Sequence, residues 1–286
     1  MISGAISEPY VPFDKKGNVD HKMLKEAISV LEEKGVNGFM VNGIGGEALV
    51  LSIEERKKVL ESVLDVSKKE ISVLVTSYSV DTTLELIKHA KDAGADYAVI
   101  TQPLVYPLKN TVEHFKNIAS KSQLPLILYN EKQLGNLLTP AQVVSILKID
   151  GFVGYKDSTK DIGHLQEVAE EMPEKSLLLA GSDSLIYTTY TLGGVGIVSL
   201  IINVFPSLIV QLVENMNKGD YKKGLELQKK VNRVRTILKS YGFSAGYRYA
   251  AKLAGINFGY TYERSEDLSE QEAQDLKQKL QKEGLI

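Results

Sequence analysis

The chain contains no cysteine and no tryptophan among its 286 residues. Without cysteine it cannot form disulfide bonds, use a thiolate nucleophile or build a zinc site from sulfur ligands. The sequence also lacks any apolar run close to the roughly 20 residues that a membrane-spanning helix requires. We therefore expect a protein that is neither stabilised by disulfides nor inserted in a membrane.

An excess of charge of one sign is also missing, since 34 Lys and Arg residues face 36 Asp and Glu residues and the formal net charge is −2. This balance offers no basic surface, so we expect no nucleic-acid partner. The first residues show no charged segment followed by an apolar stretch, and we expect a cytoplasmic protein. The histidines lack ligand spacing and no Gly-x-Gly-x-x-Gly turn follows the first apolar segment, so we expect neither a metal nor a cofactor.

What the sequence does contain is a regular alternation of short apolar segments with amphipathic helical patterns. Hydrophobic residues make up 43% of the chain, which is enough for a large core. The apolar segments are continuous rather than alternating, which is typical of strands covered on both faces. We predict eight strands, at residues 4–6, 38–42, 72–76, 97–102, 124–130, 151–156, 176–181 and 196–201.

The helical patterns between the strands carry recognisable ends. Ser52 with Glu55, and Thr139 with Gln142, have the spacing of capping boxes at helix starts. Gly94 follows a helical pattern at the position where a left-handed C-cap is favoured. These signals separate the helices from the strands before and after them.

Eight strands, each followed by a helix, predict an α/β fold, the (β/α)8 TIM barrel, over residues 1–220. A doubly wound open sheet is the competing architecture. After about Asn203 the strands stop, and helical patterns follow at 206–217, 221–240, 244–254 and 269–283. The first completes the barrel. The others form a C-terminal helical extension, residues 221–286, which we expect to pack on the barrel and which could carry subunit contacts.

Two chemically suited side chains lie at the ends of consecutive predicted strands, Tyr129 on the fifth and Lys156 on the sixth. The carboxyl ends of barrel strands meet at one rim, so we expect the phenol and the amine to lie within reach of each other. Burial favours the neutral, nucleophilic form of a lysine, and a neighbouring phenol can transfer protons. Together they suit Schiff-base chemistry on a keto group.

Each of these features also has an ordinary structural interpretation. Lys156 could extend to the rim or pair with Asp157, and Tyr129 could be a packed aromatic residue whose hydroxyl is satisfied. The loop after the second strand, Gly43-Ile44-Gly45-Gly46, could aim backbone N–H groups at an anion such as a carboxylate, or could be only a tight turn.

With these residues in view, the chain resembles the dihydrodipicolinate synthase / N-acetylneuraminate lyase family of class I pyruvate-dependent aldolases, as an atypical member. The resemblance covers essentially the full length. It implies a (β/α)8 barrel with C-terminal helices, a 2-oxo acid such as pyruvate as the ligand, and a homo-oligomer, a tetramer or a dimer. It rests on Pro9-Tyr10-Val11-Pro12-Phe13, the strand-2 loop with Glu47, Leu128-Tyr129-Asn130, Gly154-Tyr155-Lys156-Asp157-Ser158, Ala180-Gly181-Ser182-Asp183 and Gly193-Gly194-Val195-Gly196-Ile197-Val198-Ser199.

The resemblance also implies roles for individual positions. Lys156 forms the imine with the keto carbon of pyruvate or a longer 2-oxo acid, and Tyr129 is the acid/base at that centre. The carboxylate of the 2-oxo acid is held by Gly43, Ile44, Gly45 and Gly46. The rest of the substrate contacts polar residues at other strand ends, which are Tyr106, Ser158, Ser182, Asp183, Ser184 and Ser199.

Departures from the family pattern narrow this expectation. Ile44 and Gly45 stand where the family has two hydroxyl residues, the first of which relays protons to the tyrosine. Leu134 stands where dihydrodipicolinate synthases carry an arginine for a second carboxylate. A lost arginine–carboxylate contact costs on the order of 1.5–3 kcal/mol, which argues against dihydrodipicolinate synthesis.

The sequence therefore predicts a Schiff-base lyase that cleaves a 2-keto-3-deoxy sugar acid to pyruvate and an aldehyde, because Asp183 and the neighbouring serines suit hydroxyl groups. Asp183 could instead cap the following helix. A second interpretation is a 2-keto-3-deoxy sugar acid dehydratase that uses the same imine. A third is a dihydrodipicolinate synthase-like protein that binds 2-oxo acids with weak catalysis, because Ile44 breaks the proton relay.

Overall fold

The computed structural model describes residues 1–104 and 108–286, and within them eight parallel strands close into a barrel. Each strand pairs with its neighbours in chain order, and the last pairs with the first. This closure confirms the predicted (β/α)8 architecture and excludes the open sheet. The strands are β1 Gly4–Ser7, β2 Gly38–Val41, β3 Glu70–Leu74, β4 Tyr97–Thr101, β5 Leu126–Glu131, β6 Phe152–Ser158, β7 Leu177–Ala180 and β8 Gly196–Ser199.

The α-helices of the described residues are α1 His21–Glu33, α2 Ile53–Leu64, α3 Val80–Ala93, α4 Thr111–Ala119, α5 Pro140–Leu147, α6 Ile162–Glu171, α7 Ile186–Thr191, α8 Pro206–Asn217, α9 Tyr221–Lys239, α10 Ala245–Leu253 and α11 Glu270–Lys282. Helices α1 to α8 each follow the strand of the same number. Helices α9 to α11 form the predicted C-terminal extension, and a domain division at residue 220 stays a prediction. Throughout residues 1–104 and 108–286, no helix has the length and apolarity needed to cross a membrane.

Local sequence signals account for where several helices begin and end. At the start of α5, Thr139 and Gln142 form the predicted capping box. At the start of α2, the Ser52 hydroxyl accepts a hydrogen bond from the backbone N–H of Glu55. Gly94 ends α3 with φ +103°, a conformation that glycine adopts without strain.

The strands separate two apolar layers. Side chains such as Ile6, Met40 and Leu179 pack together inside the barrel, while others, such as Ala5 and Val41, belong to the core shared with the surrounding helices. Continuous apolar strands are therefore required, because both faces of the sheet are covered.

Arg248 on α10 joins the C-terminal extension to the barrel. Its side chain is 3% exposed, and its guanidinium donates to the carbonyl oxygens of Val11 at 2.9 Å and Phe258 at 2.5 Å. It also pairs with the carboxylate of Glu47, which ends the loop after β2. The extension therefore holds this loop through a buried ion pair.

Replacing Arg248 by methionine is expected to lower the free energy of unfolding by about 3–5 kcal/mol, because the change removes the donor of two buried carbonyl oxygens and leaves the Glu47 carboxylate with only the Ser244 hydroxyl as a donor. Urea denaturation followed by circular dichroism measures this loss. Arg233→Met is the matched control, since Arg233 pairs with Glu283 at the surface, where an ion pair contributes roughly 0–1 kcal/mol. Equal losses in the two variants would contradict the buried clamp.

Candidate active site

Strands β5 and β6 bring the two predicted catalytic residues together. Tyr129 and Lys156 are register partners on these neighbouring strands. Tyr129 belongs to the apolar cluster inside the barrel, and the Lys156 amine lies 3.5 Å from the sulfur of Met40 in the same cluster. Lys156 Nζ is 3.9 Å from the centroid of the Tyr129 ring. The amine and the phenol therefore share one site inside the barrel, near the carboxyl ends of the strands.

The Lys156 amine is buried and pairs with a carboxylate, that of Glu8, just after β1. The lysine side chain is 1% exposed, and Nζ lies 3.0 Å from Glu8 Oε2. Asp157, the partner considered from the sequence, instead accepts a hydrogen bond from the Tyr155 hydroxyl at 2.7 Å. Lys156 therefore neither extends to solvent nor pairs with Asp157. An amine must lose a proton before it attacks a carbonyl group, and Glu8 is placed to accept that proton.

The loop after β2 binds a carboxylate, and that carboxylate belongs to Glu8. The N–H groups of Gly45 and Gly46 donate to Glu8 Oε1 at 2.7 and 3.3 Å. A Cβ on Gly43 would lie 2.3 Å from Glu8 Cδ, so glycine at this position makes room for the glutamate. Two N–H groups of the loop that the resemblance assigns to a 2-oxo acid are thus engaged by the chain itself.

Glu131 completes a short proton-transfer pair with Tyr129. The two residues lie two positions apart on β5, hence on the same face, and the Tyr129 hydroxyl donates to Glu131 Oε2 at 2.6 Å. Burial, together with the negative charges of Glu8 and Glu131, raises the pKa of Tyr129 well above its usual value. The phenol is therefore protonated at neutral pH and can donate a proton. Ile44 offers no hydroxyl for a relay, and Glu131 supplies a carboxylate instead.

Asp183 and Ser199, both predicted to bind substrate, are bonded to each other. The Ser199 hydroxyl donates to the Asp183 carboxylate and accepts from the backbone N–H of Ile202 at 3.0 Å. Burial raises the pKa of the Asp183 carboxyl. The N-cap of the short 3-10 turn Asp183–Leu185 is Ser182, so the alternative that Asp183 itself caps the following element is wrong.

The remaining predicted serines lie around the same site. The hydroxyls of Ser182 and Ser184 are 2.9 Å apart, and the Ser158 hydroxyl donates to the carbonyl oxygen of Gly181 at 2.9 Å. The Ser158 oxygen also lies 3.5 Å from the Tyr129 hydroxyl. These groups form a polar wall beside the phenol.

A cavity opens over these residues. Lys156 contacts two residues of its lining through the pair with Glu8 and the ring of Tyr129. Tyr106 lies outside the described residues. The predicted and newly recognised residues that line the cavity are Glu8, Ile44, Gly45, Tyr129, Glu131, Ser158, Ser182 and Asp183. Among the described residues, five predicted ones do not line it, which are Lys156, Gly43, Gly46, Ser184 and Ser199.

Basic side chains also line this cavity. They are Lys160, just after β6, and Arg235 and Lys239, one helical turn apart on α9. Burial, and then the charges of Arg235 and Lys160, lower the pKa of Lys239 to about 8. Cations close enough to influence one another in this way favour an anionic group on a ligand.

Sequence reasoning missed five of these residues, among them Lys160, which comes two residues after β6. Glu8 directly follows β1, so the rule of inspecting the carboxyl end of every strand would have found it. Glu131 would have followed from the two-residue period of β5 once Tyr129 was chosen. Arg235 and Lys239 lie on a helix of the extension, and nothing in the local sequence indicates that this helix reaches the mouth of the barrel.

Comparison with known proteins identifies the family of the chain. The profile of the "Dihydrodipicolinate synthetase family" matches residues 1–283. A 4-hydroxy-tetrahydrodipicolinate synthase from Methanothrix thermoacetophila is 32% identical over 232 residues, which cover 79% of this chain and 78% of that protein.

Solved structures show the same fold. The prophage protein YagE from E. coli K12, of the dihydrodipicolinic acid synthase family and in complex with pyruvate, is 26% identical with a TM-score of 0.93 over 100% of both chains. A variant of the Sulfolobus solfataricus 2-keto-3-deoxygluconate aldolase is 27% identical with a TM-score of 0.88, covering 97% of this chain and 95% of that one. Members of the matched family are class I lyases and aldolases that form a Schiff base with pyruvate. The chain belongs to the dihydrodipicolinate synthetase family and is, like its members, a class I lyase.

Proposed function

We propose that Lys156 forms the Schiff base and that the enzyme cleaves the bond between the α and β carbons of a hydroxylated, sugar-derived carbonyl compound. The observation that carries this proposal is the buried amine of Lys156, 3.0 Å from a Glu8 carboxylate oxygen and 3.9 Å from the centroid of the Tyr129 ring. A nucleophile with a base and a proton donor beside it is the equipment for imine formation.

Imine formation uses all three side chains. Lys156 passes a proton to Glu8, and its nitrogen then attacks the carbonyl carbon. The carbonyl oxygen takes a proton from Tyr129, which recovers one from its surroundings through Glu131. The attached nitrogen then loses a second proton to the surroundings, and Glu8 returns its proton to the hydroxyl group, which leaves as water. The protonated C=N bond of the imine replaces the C=O bond. The protonated imine is the electron sink for the next step.

Cleavage then breaks one carbon–carbon bond. The hydroxyl on the β carbon loses its proton to a carboxylate of the site, the bond between the α and β carbons breaks, and an aldehyde forms. The electron pair of that bond moves toward the imine nitrogen and leaves an enamine on Lys156. Protonation of the enamine at carbon and attack by water release the second carbonyl product and restore the amine.

The predicted substrate, a 2-keto-3-deoxy sugar acid, fits the cavity better through its hydroxyl groups than through its carboxylate. The wall formed by Ser158 and Ser182 suits hydroxyl groups, and the solved structure of a 2-keto-3-deoxygluconate aldolase supports a sugar-derived substrate. The carboxylate of such an acid needs N–H groups that Glu8 already occupies. Leu134 does not line the cavity, which gives no support to dihydrodipicolinate synthesis.

The basic residues at the cavity support an anionic group at the far end of the substrate. Arg235, Lys239 and Lys160 line the cavity together. A phosphate or carboxylate on the part of the substrate remote from the carbonyl group would contact this cluster.

The KM for a phosphorylated acceptor aldehyde is expected to rise about tenfold as the pH passes from about 7 to about 9, because Lys239, with a pKa lowered to about 8, loses its charge in that interval. Aldol addition to glyceraldehyde 3-phosphate, compared with glyceraldehyde, measures this effect. Lys239→Arg, which keeps its charge, should abolish the rise. A similar rise for the uncharged aldehyde would contradict the assignment.

Product analysis tests the proposed function and separates its alternatives. With 2-keto-3-deoxygluconate, or with its uncharged analogue 3-deoxyfructose, cleavage releases glyceraldehyde together with pyruvate or hydroxyacetone, whereas a dehydratase releases water and keeps the carbon skeleton. A binding protein with weak catalysis releases neither. Borohydride reduction during turnover should attach the donor carbonyl compound to Lys156, and a product formed without any such attachment would overturn the Schiff-base assignment.

A further inference from the structure

We infer that Glu8 sets the substrate class of this lyase by occupying the place of a carboxylate next to the reacting carbonyl, so that the enzyme acts on aldehydes and ketones without such a carboxylate. This inference rests on the proposed function, because it assumes that Lys156 captures the carbonyl group. It changes the expected donor from a 2-oxo acid to an uncharged carbonyl compound.

The position of the Glu8 carboxylate carries the argument. One oxygen lies 3.0 Å from Lys156 Nζ, and the other accepts from Gly45 N at 2.7 Å and Gly46 N at 3.3 Å. A carboxylate bonded directly to an imine carbon on Lys156 would also have to lie beside Nζ. Glu8 thus joins the amine to the N–H donors of the loop, as the carboxylate of a bound 2-oxo acid would do.

The glutamate is held in this position from both sides. Its backbone N–H donates to the carbonyl oxygen of Ser199 at 3.1 Å, and its own carbonyl oxygen accepts from the Asn203 side chain at 2.6 Å. The residue is only 4% exposed. A side chain at Gly43 or Gly45 would collide with Glu8, because its Cβ atom would lie 2.3 Å or 2.9 Å, respectively, from an atom of the Glu8 side chain. The absence of a side chain at Gly43 and at Gly45 therefore makes room for Glu8.

Electrostatics favour a substrate that has an uncharged group, rather than a carboxylate, next to the reacting carbonyl. A second carboxylate would meet a like charge, and it would find two of the loop's N–H donors already bonded. An aldehyde or a hydroxyketone leaves the contacts of Glu8 with the loop and the amine in place. The basic cluster at Lys160, Arg235 and Lys239 can still hold an anionic group at the other end of the substrate.

Two probes that differ at one position test this inference. Pyruvate and hydroxyacetone are both methyl ketones, and a hydroxymethyl group in the second replaces the carboxylate of the first. The concentration that gives half-maximal borohydride labelling of Lys156 is measured by mass spectrometry for each probe. The measurement is made on the wild-type protein, Glu8→Ala and Glu8→Gln. For each protein, the half-maximal concentration of hydroxyacetone is divided by that of pyruvate. Comparison of this ratio among the proteins cancels the different intrinsic reactivities of the two probes.

Glu8→Ala is expected to shift this ratio toward pyruvate by at least about tenfold, because it opens the N–H donors to an external carboxylate. Added formate should partly restore labelling by hydroxyacetone in this variant. Glu8→Gln fills the same space without the charge and should keep pyruvate poorly bound. This variant therefore separates the effect of filling the space from the effect of the negative charge. It also provides the test if the alanine variant fails to fold. A ratio that is the same in wild type, Glu8→Ala and Glu8→Gln would overturn the role of Glu8.

The outcome also distinguishes this inference from the proposed function. If pyruvate labels Lys156 in the wild type at a lower concentration than hydroxyacetone, and Glu8→Ala does not improve it, Lys156 remains the Schiff-base residue and only the role of Glu8 is wrong. If neither probe labels Lys156 at any concentration, the proposed function fails as well.

Discussion

Lys156→Ala is expected to reduce turnover by roughly four orders of magnitude or more, because no other group can replace the amine in the covalent intermediate. The exchange of α-protons of hydroxyacetone and pyruvate in deuterated water, followed by NMR, measures turnover without knowledge of the natural acceptor. This exchange requires the imine and the enamine, so it reports the first half of the reaction. The same variant should show no borohydride-dependent labelling at position 156.

Lys175→Ala is the matched control for this prediction. Lys175 is exposed and lies just before β7, at the amino-terminal end of the barrel and away from the cavity. Its replacement should leave both exchange and labelling unchanged. Exchange that persists in Lys156→Ala at more than about a tenth of the wild-type rate would mean that another amine or a different mechanism carries the reaction.

Tyr129→Phe is expected to lower the exchange rate by about 10²- to 10⁴-fold, the usual contribution of a positioned acid/base, with a smaller change in KM. The phenol lies against the amine and donates to Glu131, and the variant removes only this oxygen. Glu131→Gln should also lower the rate, because an amide cannot relay a proton to Tyr129. Loss of rate in both variants, without additivity in the double variant, is the expected signature of residues acting as a unit.

Tyr155→Phe is the control for the loss of a buried tyrosine hydroxyl. Tyr155 lies on β6, and its hydroxyl bonds to Asp157 and His164, away from the cavity. This variant should lose some stability and keep its exchange rate. An exchange rate in Tyr129→Phe that equals the rate in Tyr155→Phe would remove Tyr129 from the catalytic mechanism.

Much of the fold could be predicted from the sequence, because each strand is a continuous apolar run and several helix starts carry capping signals. Strand bounds were less predictable. The third strand was placed at residues 72–76, but β3 spans Glu70–Leu74, since its pairing with β2 begins at Gly38 and Glu70. β6 extends to Ser158 because Glu131 and Ser158 are the last pair with β5, so Lys156 lies within the strand and not at its end.

The candidate site was predictable where the carboxyl-terminal half of a single strand sufficed to choose a residue. Lys156 and Tyr129 follow from their strands, and the structure places them side by side. The engagement of the Gly45 and Gly46 N–H groups by Glu8 could not be predicted, since it depends on the pairing of β1 with β8 and β2 and on the path of the loop. The contributions of Arg235 and Lys239 depend on how α9 packs over the barrel, which long-range contacts determine.

The proposed mechanism depends on the capture of a carbonyl compound as an imine by the amine of Lys156. The most direct test is the mass of the tryptic peptide that contains position 156 after borohydride reduction in the presence of hydroxyacetone or pyruvate. We expect an uncleaved peptide, residues 149–160, that carries the reduced donor on Lys156, because trypsin does not cut after a modified lysine. An unmodified Lys156, or a donor attached only to other lysines, would contradict it.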